Sequence, residues 1–129
     1  MTPYLSFSGN CEEALNFYAS ILGGKVAGLN LFAGSPMEFE VPANFKNKIM
    51  HGSVTSPLGT LMGADSSRPL GNGNRISLSI TPSAADGDRI FGRLADGGDV
   101  IMPLQEVFWG GHFGVVTDRY GFTWMLTIT

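Results

Sequence analysis

Hydrophobic and polar residues alternate from Tyr4 to Ser8 (Tyr-Leu-Ser-Phe-Ser), the two-residue period of a strand with one buried face, so Leu5 and Phe7 share a side. Asn10 then stands where a helix N-cap is expected. From Glu12 to Leu22 the residues Ala14, Leu15, Tyr18, Ile21 and Leu22 recur at helical spacing, and Gly23-Gly24 ends the run. The pattern predicts a second strand over Lys25 to Phe32 and a long loop from Gly34 to Lys48, which holds two prolines and mixed charges. Ile49 to Thr55 and Thr60 to Ala64 read as a hairpin about the turn Ser56-Pro57-Leu58-Gly59.

After a Ser-, Gly- and Pro-rich stretch from Asp65 to Gly73 the order starts again. Arg75 to Ile80 alternates, and Ser83 to Asp96 carries Ile90, Phe91 and Leu94 at helical intervals before Gly97-Gly98. Leu5-Ser6-Phe7-Ser8 matches Ile76-Ser77-Leu78-Ser79, and Phe17, Gly23-Gly24 and Val26 match Phe91, Gly97-Gly98 and Val100. Phe113 to Thr117 and Phe122 to Thr127 mirror the first hairpin. The chain therefore reads as one α+β domain of tandem βαβββ modules, the first about 1–64, a linker about 65–73, the second about 74–129. A ferredoxin-like βαββαβ unit leaves two of these strands unexplained.

Composition narrows the partners. Of 129 residues, 43% are hydrophobic and 15% charged, enough for a continuous core, and 18 glycines with seven prolines favour short strands over a helical bundle. A formal charge of -3 with scattered basic residues gives no footprint for nucleic acid or anionic lipid. The lone cysteine, Cys11, excludes an intrachain disulfide and a multi-cysteine metal site. With no signal-like start and no long apolar run, a cytoplasmic location away from the membrane is expected.

The runs Pro3-Tyr4-Leu5-Ser6-Phe7, Asn10-Cys11-Glu12-Glu13-Ala14, Asn16-Phe17-Tyr18 and Leu22-Gly23-Gly24 resemble the opening of PhnB-like proteins in the glyoxalase/bleomycin-resistance/dioxygenase (vicinal oxygen chelate) superfamily. Lys48-Ile49-Met50-His51, Met102 to Trp109, and Thr117-Asp118-Arg119-Tyr120-Gly121 through Trp124-Met125 agree with that group. The resemblance implies a curved eight-stranded mixed sheet around a cavity, helices on its outer face, and a homodimer. It does not decide the chemistry, since the superfamily holds metal-dependent isomerases, lyases and dioxygenases as well as metal-free binding proteins. Members sometimes carry a demethylubiquinone methyltransferase-like name, yet no glycine-rich strand–turn–helix unit for S-adenosylmethionine is present.

Metal-dependent relatives take His or Glu ligands from the first and last strand of each module. Matched to that pattern, this sequence offers Tyr4, Arg75, Met62 or Gly63, and Met125, a set that lacks the carboxylates and imidazoles a divalent ion requires. No metal centre and no cofactor are expected. The candidate ligand-binding residues are Tyr4, Ser6, His51, Asp65, Arg75, Ser77, Trp109 and Met125. Tyr4 and Ser6 share a parity, as do Arg75 and Ser77, which turns two polar strips away from the helices. His51, with Ser53 and Thr55, lies on a polar face, whereas His112 falls at an edge. Asp65 is the one carboxylate near a ligand position. Arg75 suits a carboxylate or phosphate, with a solvated strand end as its competing reading. Trp109 stands at a glycine-rich mouth or in the core. Catalytic residues are not assigned. The expectation is a metal-independent small-molecule-binding protein; the alternative is a lyase, isomerase or dioxygenase using the same cavity through His51 or Tyr4.

Overall fold

The computed structural model describes every residue of the chain except Asn72, Asn74 and Trp109, so the Trp109 expectation lies outside the described residues. The chain forms two compact units, Met1–Gly71 and Asn72–Thr129. Each is a four-stranded mixed sheet with one helix on one face, and the element order is βαβββ in both.

In the first unit β1 (Tyr4–Phe7), α1 (Cys11–Leu22), β2 (Lys25–Leu31), β3 (Ile49–Ser56) and β4 (Gly59–Asp65) make a sheet of order β1-β4-β3-β2. β1 runs parallel to β4, while β3 is antiparallel to both β4 and β2. Alternation does what the sequence predicts: Leu5 and Phe7 are buried, and Tyr4 and Ser6 are exposed on the other face. α1 buries Leu15, Tyr18, Ile21 and Leu22, and each fully buried side chain of this size stabilises by roughly 1.5–3 kcal/mol. α1 packs close over β3 at Gly52, where a Cβ would stand 2.7 Å from Leu29 Cδ2 and 2.9 Å from Leu15 Cδ1. The loop after β2 holds two short 3-10 turns, Glu38–Glu40 and Ala43–Phe45.

The second unit repeats this with β5 (Ser77–Ile80), α2 (Ala84–Ala95), β6 (Asp99–Glu106), β7 (His112–Thr117) and β8 (Thr123–Ile128), in the order β5-β8-β7-β6. Both first strands have four residues and both helices twelve, so Tyr4 corresponds to Ser77, Phe7 to Ile80, and Tyr18 to Phe91. The sequence match of Ser6 with Ser77 slides by two residues, and that of Phe17 with Phe91 by one. The reason is packing: Tyr18 and Phe91 are the aromatic rings buried beneath their helices, whereas Phe17 is half-buried.

The repeated double glycine also has a physical reason. Gly23 and Gly97 take left-handed φ values of 68° and 78°, which reverse the chain after each helix. The next glycine passes against a hairpin carbonyl: a Cβ on Gly24 would meet Thr55 O, and one on Gly98 would meet Thr117 O.

Candidate functional site

The helix ends are secured differently in the two units. Ser83 Oγ accepts from Asp86 N at 3.2 Å, a local cap on α2. Asn10 occupies the equivalent place before α1 but makes no side-chain cap. The cap comes instead from Asp65, at the far end of β4: its Oδ1 accepts from Gly9 N and Cys11 N, and its Oδ2 from Ile49 N, all at 2.9 Å. Asp65 is 4% exposed and shares the parity of Leu61 and Gly63, the helix side of the sheet. This departs from the ligand-binding expectation for Asp65, because both oxygens are spent on backbone donors that its own unit would otherwise bury unpaired. Asp118 does comparable work in the second unit, accepting from Tyr120 N, Phe122 N and Trp124 Nε1.

Cys11 is fully buried beside Asp65. Burial first, then the Asp65 and Glu12 carboxylates, push its thiol up to about 12, so at neutral pH it carries its proton and is a packing residue.

The other face of the first sheet, turned away from α1, carries its chemistry on three strands. β1 presents Tyr4 and Ser6, β4 presents Thr60, Met62 and Ala64, and β3 presents His51, Ser53 and Thr55. Tyr4 and Ser53 both pair with Met62, and His51 lies two residues before Ser53 on β3. Tyr4 thus reaches diagonally across β4, and its hydroxyl lies 3.1 Å from His51 Nδ1, with ring centroids 5.6 Å apart. Loss of hydration, and secondarily Cys11, raise the Tyr4 pKa above its ordinary value of 10.0. The phenol therefore keeps its proton at neutral pH, and one hydrogen is shared between the Tyr4 hydroxyl and His51 Nδ1, in a direction that the imidazole tautomer decides. Asn30 pairs across from His51 on β2 and lines a hollow of about 480 Å³ with Leu29, Leu31, Ser35, Pro36 and Met50.

The second sheet lacks this pair. The row Ser77–Thr123–Thr117 corresponds to Tyr4–Met62–Ser53, so Val115 stands where His51 does. Ser77 is exposed on the face away from α2, Met125 is half-buried in register with Ser79, and Thr117 and Thr123 hydroxyls meet at 3.1 Å. Arg75 lies two residues ahead of β5, exposed and outside the strand, which corrects its placement as a first-strand residue.

The positions that first and last strands offer on these faces are Tyr4, Ser6, Met62 and Ala64, then Ser77, Ser79, Thr123 and Met125. Hydroxyls and thioethers do not make a divalent-metal donor set. Among the described residues no three His, Cys, Asp or Glu side chains gather around one point. The superfamily's usual metal does not fit these residues.

The two βαβββ units define the fold class: FosX of Listeria monocytogenes, titled a fosfomycin resistance protein, shares it at a TM-score of 0.67 and 11% identity over 98% of this chain and 90% of its own. A glyoxalase-related enzyme from Fulvimarina pelagi does so at 0.64 and 15% identity, over 100% and 88%. The chain has the fold of the glyoxalase/bleomycin-resistance, or vicinal oxygen chelate, superfamily. Within it, residues 1–127 match the family described as 3-demethylubiquinone-9 3-methyltransferase, the PhnB-like group, and the chain belongs to that family. Protein YjdN of Escherichia coli is 30% identical over 99% of this chain and 94% of its own. Protein PA1353 of Pseudomonas aeruginosa is 38% identical, with a TM-score of 0.86 over 99% and 96% of the two chains. A PhnB protein from Bacillus cereus, titled a putative 3-demethylubiquinone-9 3-methyltransferase, is 26% identical at 0.82 over 100% and 98%. Among the described residues no helix is long and apolar enough to cross a membrane.

Proposed function

We propose that this PhnB-like protein binds a small organic molecule on the open face of its first sheet, without the superfamily's usual divalent metal. The observation that carries the reading is the Tyr4–His51 hydrogen bond on a face that no helix of its own unit covers, beside the hollow that Asn30 lines. A sheet face meant only for packing gains nothing from a tyrosine hydroxyl and an imidazole held together at 3.1 Å, whereas a ligand site uses such convergent polar groups. Ser6 and Ser53 supply further hydroxyls on that face, and on the second unit's own open face Ser77 and Met125 are proposed as ligand contacts.

A lyase or isomerase reading rests on the same pair, since a phenol bonded to an imidazole can pass a proton to a bound substrate. The family description names a methyl transfer, but neither strand-to-helix connection, Ser8–Asn10 or Thr81–Ser83, is the glycine-rich turn that cradles a nucleoside cofactor. We also infer a homodimer and a cytoplasmic location. The edge strand β6 exposes Val100, Ile101 and Met102, which suits association, and the buried free thiol of Cys11 suits a reducing compartment.

Thermal shifts with a panel of small carboxylates, phosphate esters, amides and phenols test the binding reading. Compounds that raise the melting temperature of the native protein and fail to raise that of Tyr4→Phe/His51→Gln support it. Equal shifts in both proteins, or none in either, contradict it.

A further inference from the structure

The chain is acidic overall, with 11 Asp and Glu against eight Lys and Arg, yet the strands of the first sheet place no carboxylate on the open face. Glu12 and Glu13 sit on α1, Asp65 faces that helix, and Glu38 and Glu40 belong to the loop after β2. What the open face does carry is hydroxyls, His51, and at its far end Lys25, which pairs with Thr55. Around His51 the other strands contribute Tyr4 from β1, Met62 and Ala64 from β4, and Asn30 from β2; Ser53 is its neighbour on β3. None of these carries a carboxylate or a second imidazole.

We infer that the Tyr4–His51 pair receives the anionic oxygen of a small ligand with an apolar body, and that protonation of His51 tightens its grip. The inference rests on the binding reading above and names its ligand class, a carboxylate or phosphate-like anion. In the neutral pair either the phenol O–H or the Nδ1–H is spent inside the pair, so one neutral donor is left for a ligand. When the imidazole gains a proton, Nδ1–H donates to the Tyr4 oxygen and the phenol O–H turns outward. The site then offers two donors and a positive charge, the arrangement that charge-assisted hydrogen bonds to an anion require. Met62, which pairs with both Tyr4 and Ser53 on the same face, suits the apolar remainder of such a molecule.

The test is an NMR titration of the His51 ring protons with benzoate and with its neutral counterpart benzamide, at about pH 5.5 and about pH 8, which span imidazole titration. Benzoate stays ionised at both. The expected result is benzoate binding that tightens about tenfold at the lower pH, as one added charge-assisted contact gives, with benzamide much weaker at both. His51→Gln abolishes the pH dependence, and Tyr4→Phe reduces it. Near-UV circular dichroism checks that each variant is folded, and the native protein alone already reports the pH dependence. Benzamide binding as tightly as benzoate overturns the anion inference while leaving the small-molecule reading in place. A pH dependence that survives in His51→Gln overturns the assignment to this pair. No benzoate binding at either pH also overturns it, and the compound panel then decides the broader reading separately.

Discussion

Tyr4 and His51, 47 residues apart in sequence, meet hydroxyl to ring nitrogen at 3.1 Å across β4, which lies between their strands. Tyr4 keeps its phenol proton at neutral pH, and donation of that proton to Nδ1 would make neutral His51 the Nε2–H tautomer. Long-range ¹H–¹⁵N spectra at about pH 8 should show Nδ1 as the unprotonated nitrogen, and Tyr4→Phe should shift that resonance. The exposed pair contributes little to stability, about 1 kcal/mol or less. A drop of several kcal/mol in Tyr4→Phe would mean that the pair is part of the packing instead.

Asp65 is expected to matter to folding and not to ligand binding. Its three backbone donors would be buried without an acceptor in Asp65→Ala, a loss of about 3–5 kcal/mol by denaturant titration. Asp65→Asn, which keeps one acceptor oxygen, should lose less. A stable Asp65→Ala protein with impaired binding would return the carboxylate to the ligand site.

Cys11 predicts an alkaline limit. Its folded-state pKa is raised to about 12 from a reference of 9.0, so between those values the unfolded chain loses a proton that the folded one keeps. Stability from this group is fully present below the unfolded pKa and falls as pH rises, by up to about 1.4 kcal/mol per unit. The Tyr4 shift acts in the same direction at higher pH. Denaturant curves from about pH 8 to about pH 10.5 should be steeper in pH for the native protein than for Cys11→Ala, which lacks the thiol. Parallel pH dependences in the two would remove Cys11 from the account.

The exposed apolar run of β6 predicts self-association. Light scattering should give about twice the 13.8 kDa chain mass, and Ile101→Lys should shift it toward the monomer. A monomer in the native protein at working concentration would contradict the homodimer.

Much of the fold was legible from local pattern. The strand of Leu5 and Phe7, the helix of Leu15 and Tyr18, and the double glycines each declare themselves within a few residues. What the sequence hid depends on strand order and register. Asp65 caps a helix 54 residues away, and nothing local distinguishes such a carboxylate from one that faces a ligand. Arg75 extends an alternation beyond the paired strand, and only pairing of Ser77 with Thr123 fixes where β5 starts. Tyr4 and His51 were both candidates by parity, but a shared face does not state a contact, and the diagonal across β4 needed the order β1-β4-β3.

The most direct test of the central claim is a ¹H–¹³C and ¹H–¹⁵N shift map of the protein with a compound that raises its melting temperature. The account predicts that the largest changes fall on Tyr4, Ser6, His51, Ser53 and Met62. Changes confined to residues off that face, with the Tyr4 and His51 rings unmoved, would contradict it.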